Sequence, residues 1–525
     1  MGSIKTGIRW RALCLALCCA TVTAAGQRGA RPAPPPQTKQ PVQPARGAAA
    51  RTQPTRAAEL EALVIDARSL PPEFAADVLL RLVESGRLTE RAARRELLAE
   101  AFRTAGGAQQ PVKRRIAPGL NYAYTREDYR ARAFQLNLDA LSLRLRAVNA
   151  MLKADKPRAR ALFDELPRRL PLAPLACADA LVYDVRDFYE TLTKVAQETF
   201  DAAEKERGED LLFVQGYLDE TAAPAGVWPA AQMVLQLGDT SQRFAPLLHA
   251  YADALKKIAA DDDRSYTAES AAQWQTLARL LDACKRHGVV PDELLAAYRA
   301  YVVTHAGAAR CADTAGAPQA GVADRRGFDY FNQQMREIDP GQQTLAVVPA
   351  EETRPARLEG AAVLTRYFTT PAAQALFRTA QELRFGLADE DADEAADDPK
   401  RGEKLTAWLN AMADWRPGGA EVDADYFEQK CVLYQLLLEA GPAEGPAGET
   451  LMREYVNFLR QPARQQENRA GWLLHVQRLL ASPSFGAGAA RARLLAALAS
   501  SGDPVLRLYA TLQKTRPPTE AREKR

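Results

Sequence analysis

The chain has 525 residues, 47% of them apolar and 26% charged, with a formal net charge of +3. That length exceeds one ordinary domain and calls for several cooperative units or one long array. The apolar fraction is that of a chain with a packed core, and nothing in the overall charge points to nucleic acid.

Residues 1–25 have the pattern of a signal peptide. Lys5, Arg9 and Arg11 precede an apolar run at 12–20, and small residues at Thr23, Ala24 and Ala25 offer a cleavage site. The run is shorter than a typical transmembrane helix needs, so an uncleaved anchor is the rival reading. Leu17 before Cys18 departs from a lipobox, which wants a small residue there. Residues 26–58 hold six cations, seven prolines and no acid. Such a segment cannot offset its ordering entropy and reads as a disordered Pro/Arg-rich linker. Its functional reading is a tether in electrostatic contact with an anionic envelope surface; the plainer reading is a solvated spacer. With the leader and this arm set aside, the net charge of the rest is near −6.

From residue 59 the pattern is helical. An N-terminal helical-hairpin region is expected over 59–307. Its expected helices cover 59–68, a segment from Pro71-Pro72 to Gly86, another from Thr89 to Gly106, then 126–154, a short one after Pro157, 177–207, 210–220, 229–237 and 242–260. A basic loop (Lys113, Arg114, Arg115) interrupts them. The clearest unit is the hairpin at 267–307. Trp274, Leu277, Leu281 and Cys284 share one face, Thr267 is its expected cap, and Gly288 its left-handed stop. Pro291 opens the second helix, which carries Leu294, Leu295, Tyr298, Val302 and His305. An irregular connector follows at 308–355, with one helix at 324–338 and a lone strand pattern at 344–348. A C-terminal helical region spans 356–515, with helices near 357–368, 372–387, 402–414, 424–439, 450–459, 470–480, 489–499 and 504–512. Residues 516–525 are a charged tail.

Helix pairs recur roughly every 35–45 residues, a spacing that suits stacked helical hairpins. The fold class is therefore all-α, an array of antiparallel helical hairpins in the manner of a TPR- or HEAT-like α-solenoid, in two helical halves. The likeness is to an architecture only, since no repeat consensus recurs at fixed offsets. A closed toroid of helical hairpins has the same grammar.

Catalytic motifs are missing: the sequence holds no P-loop, no Gly-x-Ser-x-Gly and no His-Glu-x-x-His. Cys284, His287, His305 and Cys311 are zinc-ligating types, but helix geometry sets His305 roughly 22 Å from the turn that holds Cys284 and His287. Cys177, Cys284 and Cys431 fall on apolar stripes and read as buried thiols. The acidic run at 389–398 starts like a calcium loop, but Glu394 stands where the glycine should be and Lys400 where the bidentate glutamate should be. Trp408 and Trp415, seven apart, read as core. The segment Arg325, Arg326, Phe328, Tyr330 and Phe331 mixes bases and aromatics; it is read as an interaction surface, against the alternative that its rings plug a helix junction.

No cofactor or metal is expected. The leading expectation is an exported helical-repeat protein, periplasmic or extracellular and bacterial, acting as a scaffold for another protein or a peptide in the cell envelope, not an enzyme. The alternatives are an all-helical, toroid-like enzyme acting on polysaccharide and a purely structural envelope component.

Overall fold

The computed structural model describes residues 56–117, 125–176, 179–262, 264–306, 322–338, 367–368, 370–385, 399–416, 423–440, 446–461, 469–482, 485 and 488–514. The leader, the Pro/Arg-rich arm up to residue 55, the pattern at 344–348, the acidic run at 389–398, Cys177, Cys311 and the charged tail lie outside them, while the last three residues assigned to the arm open the first helix. The described residues are mostly helical, with one two-stranded sheet. The chain from Thr55 onward forms one compact unit.

The helices are α1 (Arg56–Arg68), α2 (Pro72–Glu84), α3 (Arg91–Ala105), α4 (Arg126–Phe134), α5 (Ala140–Ala154), α6 (Lys156–Asp164), α7 (Arg186–Glu198), α8 (Ala202–Glu206), α9 (Glu209–Leu218), α10 (Val227–Leu237), α11 (Ser241–Lys257), α12 (Ser265–His287), α13 (Asp292–Ala306) and α14 (Val322–Ile338). After α14 come α15 (Pro371–Phe385), α16 (Pro399–Asp414), α17 (Asp423–Ala440), α18 (Pro446–Leu459), α19 (Arg469–Ala481), α20 (Gly488–Ala499) and α21 (Pro504–Lys514). Local signals explain several ends. Gly86 and Gly288 adopt φ of 68° and 66°, a conformation that costs glycine little. At Gly288 the amide of Val289 closes back on the carbonyl of Cys284 at 2.9 Å, the bond that seals a helix C-terminus.

Three expectations are corrected. The helix expected over 126–154 is two helices. Asn137 turns left-handed at φ 55°, and the Asp139 carboxylate accepts from the Ser142 amide at 2.9 Å to start α5 afresh. The helix expected over 177–207 gives way to strand β2 (Leu181–Tyr183), α7 and α8. β2 pairs antiparallel with β1 (Arg114–Ile116), in the segment read as a basic loop. Arg114 stacks on the ring of Tyr183, 4.6 Å from its centroid, and donates to its hydroxyl at 2.9 Å, while Lys113 pairs with Asp187 at 3.0 Å. These cross-strand contacts give a three-residue ladder the support that its length alone would not supply. Finally, α12 begins before Thr267. The Asp262 carboxylate accepts from the amides of Arg264 and Ser265 at 3.0 and 2.7 Å and so takes the capping role.

The helices pack in succession on alternate neighbours. One line runs α3, α5, α7, α10, α12, α14, and a second runs α7, α9, α11, α13. The hairpin helices α12 and α13 therefore bury their stripes chiefly against α10, α14 and α11 rather than against each other. In the C-terminal region α15, α17 and α19 follow one another, as do α16, α18, α20 and α21. The last helices then meet the first: α19 packs on α4, and α21 on α1 and α2.

Two buried acids on α2 make that junction. Glu73 accepts from the Gln109 amide at 2.7 Å and pairs with Arg469 of α19 at 2.6 Å. Asp77, wholly buried, pairs with Arg81 at 2.7 Å and Arg146 at 2.6 Å, and accepts from the Tyr509 hydroxyl of α21. Beside them Phe74 packs on Trp472, ring centroids 5.6 Å apart. His475 of α19 is fully buried between Tyr129 of α4 and Phe427 of α17.

Candidate functional site

α12 is 23 residues long and carries two kinds of polar surface. Along its first half Arg264, Ser265, Glu269, Ser270, Gln273 and Thr276 are all buried. They stitch α12 to its neighbours. Arg264 Nε donates to the carbonyl of Asp179 at 2.9 Å, Gln273 to the hydroxyl of Tyr301 at 3.2 Å, and Gln232 of α10 to Thr276 at 3.0 Å. Glu269, 3% exposed, pairs with Arg115 of β1. Burial pushes the Glu269 carboxyl up, the Arg115 charge only partly offsets this, and the nearby Asp184 carboxylate adds to the rise, which brings it to about 7. Asp184 itself has two cations: Arg186 donates to it at 2.7 and 2.8 Å, and Lys113 lies 3.8 Å away.

The second half of α12 faces outward. Arg279, Asp282, Lys285 and Arg286 are exposed and line an open cavity of about 510 Å³. Their spacing places three cations and one acid along one side of the helix. Tyr330 of α14 stands half-buried nearby; burial, and then the carboxylates of Asp282 and Glu337, push its phenol upward. The arrangement suits a partner with several carboxylates: the cations offer charge and donors, and the tyrosine an amphipathic ring.

The structure divides the segment singled out by sequence. Phe328 and Phe331 are buried in the α12–α14 contact, their rings 5.2 and 5.9 Å from that of Trp274. Gly327 makes this approach feasible, because a Cβ there would lie 2.2 Å from the Trp274 ring. Arg326 and Tyr330 remain at the surface; the side chain of Arg325 lies outside the described residues. Cys284 and Cys431 are buried and in no disulfide, and burial pushes Cys284 up to about 11. His287 stacks on Phe244 at one end of the hairpin (4.9 Å), whereas His305 lies against Tyr301 at the other (4.7 Å). Trp408 and Trp415 are buried, and Trp408 donates to the carbonyl of Leu376 at 2.9 Å.

Sequence reasoning missed Glu269 as a perturbed acid. It sits where a first-turn carboxylate is ordinary, and its partner Arg115 is 154 residues away. The basic face was available as the polar complement of the Trp274–Cys284 stripe. Comparison with protein-family models, curated proteins and solved structures finds no match to this chain.

Proposed function

We propose that this protein is an exported helical-repeat scaffold of the cell envelope that holds an acidic stretch of a partner protein or peptide against the α12–α14 face. The observation that carries this reading is the open cavity lined by Arg279, Lys285 and Arg286 with a single acid, Asp282, among them, and Tyr330 beside it. A shallow, cation-lined concavity on a long helix suits an extended chain with carboxylates. The succession of alternately packed helices supports an array able to present such a face rigidly.

The test is capture from an envelope extract, run in parallel with the wild-type chain and with the variant Arg279→Glu/Lys285→Glu/Arg286→Glu. A partner retained by the first and lost by the second, with unchanged circular dichroism, supports the reading. Equal recovery by both chains, or recovery of no partner, sinks it.

A second reading is favoured by one observation, the carboxyl of Glu269 titrating near 7. Such an acid suits general acid–base chemistry in a toroid-like enzyme on polysaccharide. Turnover of a glycan library that disappears in Glu269→Gln would establish that role in place of the scaffold.

A further inference from the structure

Away from the α12–α14 face, the contact between α11 and α13 brings together three side chains with metal-ligating atoms. His249 and Asp253 lie one turn apart on α11, and Glu293 stands in the first turn of α13. The ligating atoms of all three lie within 4.8 Å of one another. His249 Nδ1 is 2.6 Å from Glu293 Oε2, and its Nε2 is 3.6 Å from Asp253 Oδ2. We propose that His249, Asp253 and Glu293 form a binding site for one divalent transition ion of the zinc class.

The geometry needs little change to accept the ion. The imidazole now turns a different nitrogen to each acid, and an ion takes only one of them; with one ligand atom from each residue within 4.8 Å of the others, side-chain rotation brings all three to the roughly 2.0–2.2 Å that zinc requires. α11 and α13 pack on each other, which holds the three ligands at one seam. His249 and Glu293 are exposed and Asp253 is partly so, which leaves the remaining coordination position to water.

A second observation points to a cation here. The Lys256 ammonium lies between the same two carboxylates, 2.8 Å from Asp253 Oδ1 and 3.1 Å from Glu293 Oε1. These are the oxygens turned away from the imidazole. The two acids thus already converge on a positive charge. An incoming ion replaces the ammonium as counter-charge, and Lys256 swings into solvent. Ligand type selects the class: one imidazole with two carboxylates suits zinc, cobalt or nickel, whereas calcium and magnesium take oxygen ligands alone.

The ion is the probe. Untagged full-length chain is titrated with zinc chloride by calorimetry, and with cobalt chloride by visible absorption, in a non-chelating buffer. The site predicts one ion per chain, loss of that binding in His249→Ala, and weakening of about tenfold or more in Glu293→Gln. Lys256→Met removes the internal competitor and tightens binding. This gain separates a built site from surface scavenging, and no unfolded variant imitates it. No zinc binding by the wild type, binding unchanged in His249→Ala, or binding no tighter in Lys256→Met each overturns the proposal.

Discussion

Asp77 and Glu269 are both almost completely buried, and each faces arginine, yet they are held in different ways. Burial raises the pKa of both. At Asp77 the charges of Arg81 and Arg146 and the Tyr509 hydroxyl outweigh it, and the carboxyl lies below its usual range. At Glu269 the Arg115 charge, a hydrogen bond from Trp228 and the more distant Arg186 do not outweigh burial, the Asp184 carboxylate adds to the rise, and the carboxyl reaches about 7. The number of donors, rather than depth, decides whether a buried acid is a fixed charge or a titrating group. The first joins the two ends of the fold. The second is a weak point in the middle of it.

Removing the better-supported acid has the larger effect. Asp77→Ala leaves two arginines and a tyrosine around a missing charge, and a cost of about 3–5 kcal/mol is expected for breaking such a pair from one side. Urea unfolding monitored by circular dichroism measures it; a loss under about 1 kcal/mol would mean that the junction does not depend on this charge.

The poorly supported acid shows itself through pH. The folded state keeps a proton on Glu269 up to about 7, whereas an unfolded glutamate releases it near its ordinary value. Between those limits the folded state binds more protons, so stability from this group falls as pH rises, by roughly 3 kcal/mol in all. His475 has the opposite sign. Burial, with help from Arg478, pulls it down to about 3, so its contribution is lost as pH falls below its ordinary value near 6.5. The two slopes oppose each other between about pH 4.5 and 6.5. Urea midpoints across this window are expected to vary little in the wild type, to fall toward acid in Glu269→Gln and to fall toward neutral in His475→Phe. Parallel curves for all three chains would refute the assignment.

A smaller change sharpens the comparison. Tyr509→Phe removes one donor from Asp77 and leaves both arginines, so about 1–2 kcal/mol is expected. The carboxyl then stays ionised, and the acid limb of the stability curve keeps its shape.

The sequence shows local features well and distant ones poorly. Gly86 and Gly288 mark helix ends because a left-handed residue is a property of one position. The break between α4 and α5 is hidden because Phe134, Leu138, Leu141, Leu145 and Val148 keep helical spacing across it; only Asn137 and Asp139 carry the signal. β1 and β2 are three residues each, too short for any period to emerge. In the segment holding Phe328 and Phe331, a three-residue step between the rings records a buried stripe, and the adjacent Arg326 and Tyr330 record its outer side. The pairing of Asp77 with Tyr509 spans 432 residues and that of Glu73 with Arg469 spans 396. No window along the chain holds both partners, so neither the junction nor its energetic weight was legible.

That junction also constrains the order of assembly. A chain made from its N-terminus produces α2 early, with Arg81, Gln109 and Arg146 soon to hand for its two acids, whereas Arg469 and Tyr509 emerge hundreds of residues later. Until α19 and α21 arrive, Glu73 lacks its arginine and Asp77 one of its three donors, and the face of α2 that these helices cover stays open to water. Closure of this junction is therefore expected late in folding, when the last helices reach the second. A ribosome-stalled chain that stops before Arg469 should leave the junction face of α2 more open to protease than in the whole chain, while α10 to α13, which touch neither α19 nor α21, are already protected.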